Sequence, residues 1–145
     1  MLGDVDVYPC TGEIRRWLAG HAIACPASQG ESHDPTPRDV RWAIRHLDGS
    51  VVTVAVDGTR WCAMIAGGRC VYGRAWLDAV GFTGDEHLPV HLCFAVAAPL
   101  AILRLAERLA RRCGALVLIP DDATPAVVGA GADVGRIALG WREWS

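Results

Sequence analysis

The sequence predicts a single α+β domain: an antiparallel β-meander over about 38–72 joined to a C-terminal βαβ unit, with helices packed on the sheet. Three observations carry this expectation. Asp48-Gly49, Asp57-Gly58 and Gly67-Gly68 recur at even spacing between β-branched and aromatic runs, and such pairs supply the positive φ angles that two-residue hairpin turns demand. The apolar runs at 90–96 and 115–119 bracket an amphipathic stretch, the pattern of strand, helix, strand. The 145 residues suit one domain, and no linker, repeat or low-complexity tract divides them.

Residues 3–8 alternate valine with aspartate and read as a short strand with its valines on one face, stopped by Pro9. Thr11 caps a helix through Gly20, whose Ile14, Trp17 and Leu18 form an apolar stripe. Residues 21–37 hold few core-sized side chains and read as a long surface loop. In the meander, Val40, Trp42 and Ile44 alternate with Arg41, Ala43 and Arg45, and further strands follow at 51–56, 61–65 and 70–72. Residues 74–80 read as a short helix ended by Gly81, and 82–87 as a polar loop.

Pro99 suits the first turn of a helix, where its missing N–H costs nothing. That helix runs to Cys113 with Leu100, Leu103, Ala106, Leu109 and Ala110 inward. Its wet face carries Arg104, Arg108, Arg112 and a Glu107–Arg111 pair. Asp121 to Pro125 reads as a turn and cap into a short helix at about 125–130, and 135–144 as a terminal strand.

All 14 positive side chains are arginine, 16 are acidic, and the formal charge is −2. That balance argues against a nucleic-acid partner, since phosphate affinity needs a positive excess. With 52% hydrophobic and 21% charged residues, disorder is excluded. The most apolar stretch, 88–103, is broken by Pro89, His91 and Pro99 and falls short of a membrane span. The first residues show no signal-peptide pattern, so a cytoplasmic chain is expected. Six cysteines without a CxxC pair, several inside apolar runs, read as free thiols of a reducing compartment. The absence of lysine and asparagine beside abundant Ala, Gly, Arg and Val fits a coding bias toward G and C, hence a GC-rich bacterial source.

Chemistry-bearing residues cluster in three places. His87, His91 and Cys93 could be read as metal ligands with His33 or Cys25 completing the set, but the spacing is nonspecific and Pro89 breaks the helix that a four-residue His spacing would need. Asp121 and Asp122 lie just beyond the carboxyl end of a strand, where ligands bind in open α/β sheets. Trp141 and Trp144 cannot share one face of a terminal strand, which leaves one of them for contact. No serine sits in a nucleophile motif, no Gly-rich phosphate loop precedes a helix, and neither a resident metal nor any other cofactor is expected.

Tyr8, Pro9, Thr11, Glu13, Ile14, Trp17 and Leu18, followed by a meander and a closing GWREW, resemble the small immunity proteins of bacterial polymorphic-toxin systems. The resemblance implies a protein that neutralises a cognate toxin by direct contact, often by plugging its active site. On that reading the contact residues are the loop acids Glu31, Asp34, Asp85, Glu86, Asp121 and Asp122, with Trp141 and Trp144. The last two acid pairs are expected to meet at the carboxyl ends of the strands. Such a chain is a monomer or a homodimer. The alternatives are a ligand-binding or regulatory domain that dimerises, or a small hydrolase or transferase using Asp121/Asp122 or His91/Cys93.

Overall fold

The computed structural model describes residues 3–23, 25, 32–45, 47, 51–66, 74–95 and 98–142. In chain order these form β1 (Val5–Pro9), α1 (Gly12–Gly20), α2 (Pro37–Arg45), β2 (Val51–Asp57), β3 (Arg60–Ala66) and β4 (Ala75–Val80). Then come β5 (His91–Ala95), α3 (Pro99–Cys113), β6 (Leu116–Pro120), β7 (Ala126–Val128) and α4 (Val134–Arg142). The strands make one sheet of order β2-β3-β4-β5-β1-β6-β7 in which every neighbouring pair is antiparallel.

The α+β class is therefore the one predicted, and a four-stranded meander is present, but it runs through β2, β3, β4 and β5, from residue 51 to 95. Its first hairpin turns at Gly58, φ +57°, between the paired Asp57 and Arg60. A glycine at the first position of a two-residue loop is what a II′ turn demands. The turns expected at Asp48-Gly49 and Gly67-Gly68, and the strand at 70–72, lie outside the described residues.

The stretch expected to open the meander is a helix. Thr36 Oγ1 accepts from the Asp39 N–H at 3.2 Å while Asp39 Oδ2 accepts from the Thr36 N–H at 3.0 Å. This reciprocal cap, with Pro37 following Thr36, nucleates α2. Val40, Ala43, Ile44 and Leu47 face the core at helical spacing, so the alternation of Val40, Trp42 and Ile44 is incidental to the fold.

The converse holds at 74–80, expected to be helical. Ala75, Leu77 and Ala79 are buried and alternate with more accessible neighbours, and pairing on both sides with β3 and β5 overrides the helix propensity of Ala and Leu. At the C-terminus the two assignments exchange. The β-branched pair Val127-Val128 lies in β7 rather than a helix, and 134–142 is α4 rather than a strand, its start capped by Asp133 Oδ1 accepting from Arg136 N at 3.2 Å.

The expected βαβ unit is also altered. Strands β5 and β6 run parallel to each other, but β1 lies between them, antiparallel to both. In the register, Val5 opposes Phe94 on one side and Pro120 on the other.

One face of the sheet is covered by α2, α3 and α4. Val5, Trp61, Leu77, Leu92 and Phe94 meet Ile102, Leu105 and Leu109 of α3 there. Because α3 lies against both α2 and α4, it is buried around a wider arc than one stripe, from Ala101 to Cys113. On the opposite face, α1 is the one helix among the described residues, set over β6 and β7 through Leu18, Ile14, Val117 and Val127. Trp17, expected inward, is 38% exposed and packs its ring on His21 at 4.3 Å.

Beneath α1, Cys10 Sγ and Cys25 Sγ lie 3.1 Å apart, 15 residues from each other in sequence. Oxidation of the two thiols by glutathione disulfide, with release of two glutathione thiols, should join them. Closing a loop of that size is worth about 3 kcal/mol. The check is a mass loss of two hydrogens, a single cross-linked peptide and a raised urea midpoint; an unchanged thiol count would contradict it. Core packing is tested separately: Phe94→Ala should lower the unfolding free energy by about 3–5 kcal/mol, whereas Val80→Ala, at a side chain 52% exposed, should change it by less than about 0.5 kcal/mol.

Candidate interaction face

The alternation that buries Val5 and Val7 sends Asp6 and Tyr8 to the other side of the sheet. The same parity holds across β2 to β5. The apolar face of α1 packs on Val117 and Val127 of β6 and β7, and no described helix is placed over β2 to β5.

The register sorts its side chains into rows. Thr53, Met64, Trp76 and Ala95 form one row, and Ala55, Cys62, Asp78, Cys93 and Asp6 form the next. Val80, His91 and Tyr8 follow. Met64 is 43% exposed and, with Arg74, Ala75, Trp76 and Ala95, lines an apolar groove of about 330 Å³.

Polar contacts fix the centre. The Trp76 indole donates to Asp78 Oδ2 at 2.9 Å, His91 Nε2 lies 2.8 Å from Asp6 Oδ1, and the Tyr8 and His91 rings meet at 5.0 Å. Cys93 stands between Asp78 and Asp6 in the register. Burial, followed by the carboxylates of Asp6, Asp4 and Asp78, pushes its thiol up to about 11. Burial and then Asp6 also raise the Tyr8 hydroxyl. His91 and Cys93 share a face as expected, yet the thiol is held protonated, the opposite of an activated nucleophile. The field at this surface is negative, and its side chains are Trp, Tyr and Met around carboxylates.

The acids expected in loops behave differently. Glu86 turns inward, its carboxylate held by Arg41 and, at 3.2 Å, by the Trp61 indole. The Arg41 hydrogen bond, more than the Trp61 one, keeps that carboxyl below its ordinary range. Asp85 accepts from the His87 N–H at 2.9 Å. Asp121 and Asp122 are exposed in the turn after β6, with Asp122 Oδ1 3.3 Å from the Gly3 N–H. The expectation that these two pairs meet is corrected. Residues 85 and 86 precede β5 and 121 and 122 follow the parallel β6, so the pairs lie at opposite ends of the sheet.

Asp34 is half-buried, and its carbonyl faces His33 Nδ1 at 3.0 Å. Trp141 is only 3% exposed and donates its indole N–H to the Thr124 carbonyl at 2.8 Å, so it belongs to the core. Glu31 and Trp144 lie outside the described residues.

The set His87, His91 and Cys93 is not assembled. His87 stands beside Arg38, whose Nη1 is 3.3 Å from its Nε2, while His91 is committed to Asp6. Cys25 packs against Cys10 instead. Among the described residues, the trio whose ligand atoms come together is His33, Asp39 and Cys113. The sequence assigns no contact role to Asp6, Asp78, Tyr8, Trp76 or Met64. The signal for Asp6 and Tyr8 was the alternation in β1, whose polar side received no role. For Asp78 and Trp76 the strand itself was misread as a helix.

The raised Cys93 thiol has a measurable consequence. About two units above the ordinary 9.0, its thiolate fraction at pH 8 is about 100-fold below that of a free cysteine. Alkylation at Cys93, followed by peptide mass spectrometry, should be slowed to match and rise with pH toward a midpoint near 11. Asp6→Asn removes a neighbouring negative charge and should speed the reaction at pH 8; an unchanged rate would contradict the electrostatic account.

No protein-family model, curated protein or solved structure matches this chain, so its functional reading rests on the geometry of the chain itself.

Proposed function

We propose that this chain is an immunity-type binding protein that neutralises a cognate bacterial toxin by direct contact, and that the sheet face without a described helix over it is its contact surface. The observation that carries the reading is the five-strand face where Trp76, Met64 and Tyr8 surround Asp6 and Asp78 without a described helix over them. Trp and Tyr concentrate binding energy at protein interfaces, and Met is enriched in them. The carboxylates suit a basic partner surface, such as the cleft of an enzyme acting on nucleic acid or nucleotides. In this reading Asp121 and Asp122 are rim charges, Glu86 is structural, and the core residue Trp141 supports the fold.

Edge strand β2 favours a second reading, dimerisation. Among the described residues it offers one unpaired side over Val51–Asp57, with Val56 46% exposed, and such an edge is a template for pairing with another chain. Sedimentation equilibrium distinguishes the two, since a dimer through β2 assembles without any partner protein.

The deciding experiment is co-expression with a toxin encoded beside this chain, with cell survival and complex affinity as readouts. Trp76→Ala should weaken the complex by about 2 kcal/mol or more, roughly 30-fold in Kd, and Asp78→Arg should abolish protection. The double variant Asp121→Arg/Asp122→Arg should retain it. Protection lost only in the double variant would move the contact to the β6–β7 turn. No protection by the unmodified chain would remove the immunity reading.

A further inference from the structure

We propose that His33, Asp39 and Cys113 form a binding site for a divalent transition-metal ion of the zinc class, separate from the sheet face. The three residues come from distinct segments: the stretch preceding α2, the first turn of α2 and the last residue of α3. One ligand atom from each lies within 4.8 Å of the others. Asp39 and Cys113 are buried while His33 is exposed, so the site has a buried floor and an accessible side.

The Cys113–Asp39 separation suits one edge of a tetrahedral site. Cys113 Sγ is 3.6 Å from Asp39 Oδ2. An ion with sulfur at about 2.3 Å and oxygen at about 2.0 Å sets that edge near 3.5 Å. Thiolate, imidazole and carboxylate together are a borderline-soft donor set, which favours zinc over calcium or magnesium.

The histidine supplies an independent argument. Nδ1 lies 3.0 Å from the Asp34 carbonyl oxygen and Nε2 lies 3.2 Å from the Arg112 carbonyl oxygen. A neutral imidazole has one donor and one acceptor nitrogen, so it can satisfy only one of two carbonyls. The usual arrangement at metal-bound histidine resolves the conflict: one ring N–H donates to a backbone carbonyl while the other nitrogen binds the ion. In that arrangement one of the two carbonyls keeps the ring N–H and the other nitrogen turns to the ion. The helix cap with Thr36, and Arg112 Nε at 3.3 Å from Asp39 Oδ1, explain why the carboxylate is buried. Neither explains the thiol packed against it or the doubly opposed imidazole. On binding, the Cys113 S–H bond breaks, its electron pair forms the sulfur–metal bond and the proton leaves to solvent.

The test uses the full chain, stripped of metal with a chelator and kept reduced. Cobalt(II) is titrated while following the near-ultraviolet thiolate-to-cobalt charge-transfer band, and zinc is then titrated against a chromophoric competitor. The expected result is one equivalent of each ion, a thiolate band, and a melting temperature that rises with zinc concentration. His33→Ala, at an exposed side chain, should fold and lose at least about 10–100-fold in zinc affinity. Cys113→Ser should abolish the band, whereas Cys93→Ser should keep it. No stoichiometric binding by the unmodified chain would overturn the site. A band that survives both His33→Ala and Cys113→Ser would place the metal elsewhere and equally overturn it.

Discussion

The architecture depends on the double pairing of β1. A strand inside a sheet satisfies its backbone N–H and C=O groups on both sides, and β1 does so against β5 and β6. That insertion welds the meander to the C-terminal half of the chain. It also fixes two surfaces at once. Because side chains alternate across a strand, burying Val5 and Val7 under α3 obliges Asp6 and Tyr8 to appear on the far face. A one-residue slip would exchange the two sets and place a carboxylate in the core.

The far face gains its character from what α1 leaves uncovered. This nine-residue helix packs on β6 and β7, so β2 to β5 present side chains that no described helix covers. Carboxylates at Asp6 and Asp78 are fixed there by His91 and Trp76, and the resulting field acts on the thiol between them. Acids in the loops are in part consumed by the fold. Glu86 links the β4–β5 connection to α2 through Arg41 and to β3 through Trp61. Being charged and in a loop therefore did not make it free for a partner.

Segments with one dominant local signal were legible. Thr11 caps α1 as its spacing implies, with Oγ1 accepting from Ile14 N. Gly58 turns the β2–β3 hairpin, and Pro99 and Gly114 bound α3, the latter with φ +79°. Errors fell where two periods fit the same residues. Val40, Trp42 and Ile44 satisfy a strand, while Val40, Ala43, Ile44 and Leu47 satisfy a helix; the cap formed by Thr36 and Asp39 decides between them. Residues 75–80 alternate in burial but are rich in helix-forming Ala and Leu, and there the flanking strands decide. The candidate sites were harder to see because their members are far apart in the chain. Asp6 and Asp78 share a face only through β5, and His33 reaches Cys113 only because α3 ends beside the start of α2.

By itself the sequence determined the α+β class, the bounds of α1 and α3, the β2–β3 hairpin and a charge balance without a basic excess. These follow from composition and from interactions within a few residues, which caps, turn glycines and hydrophobic period encode directly. Tertiary structure alone decided the strand order, the antiparallel insertion of β1 between β5 and β6, and which acids meet solvent. It also decided that Trp141 is core and that His33, Asp39 and Cys113 converge. The physical reason is that pairing and burial are settled between segments distant in the chain, where each backbone group and apolar surface takes the partner that the whole sheet makes available.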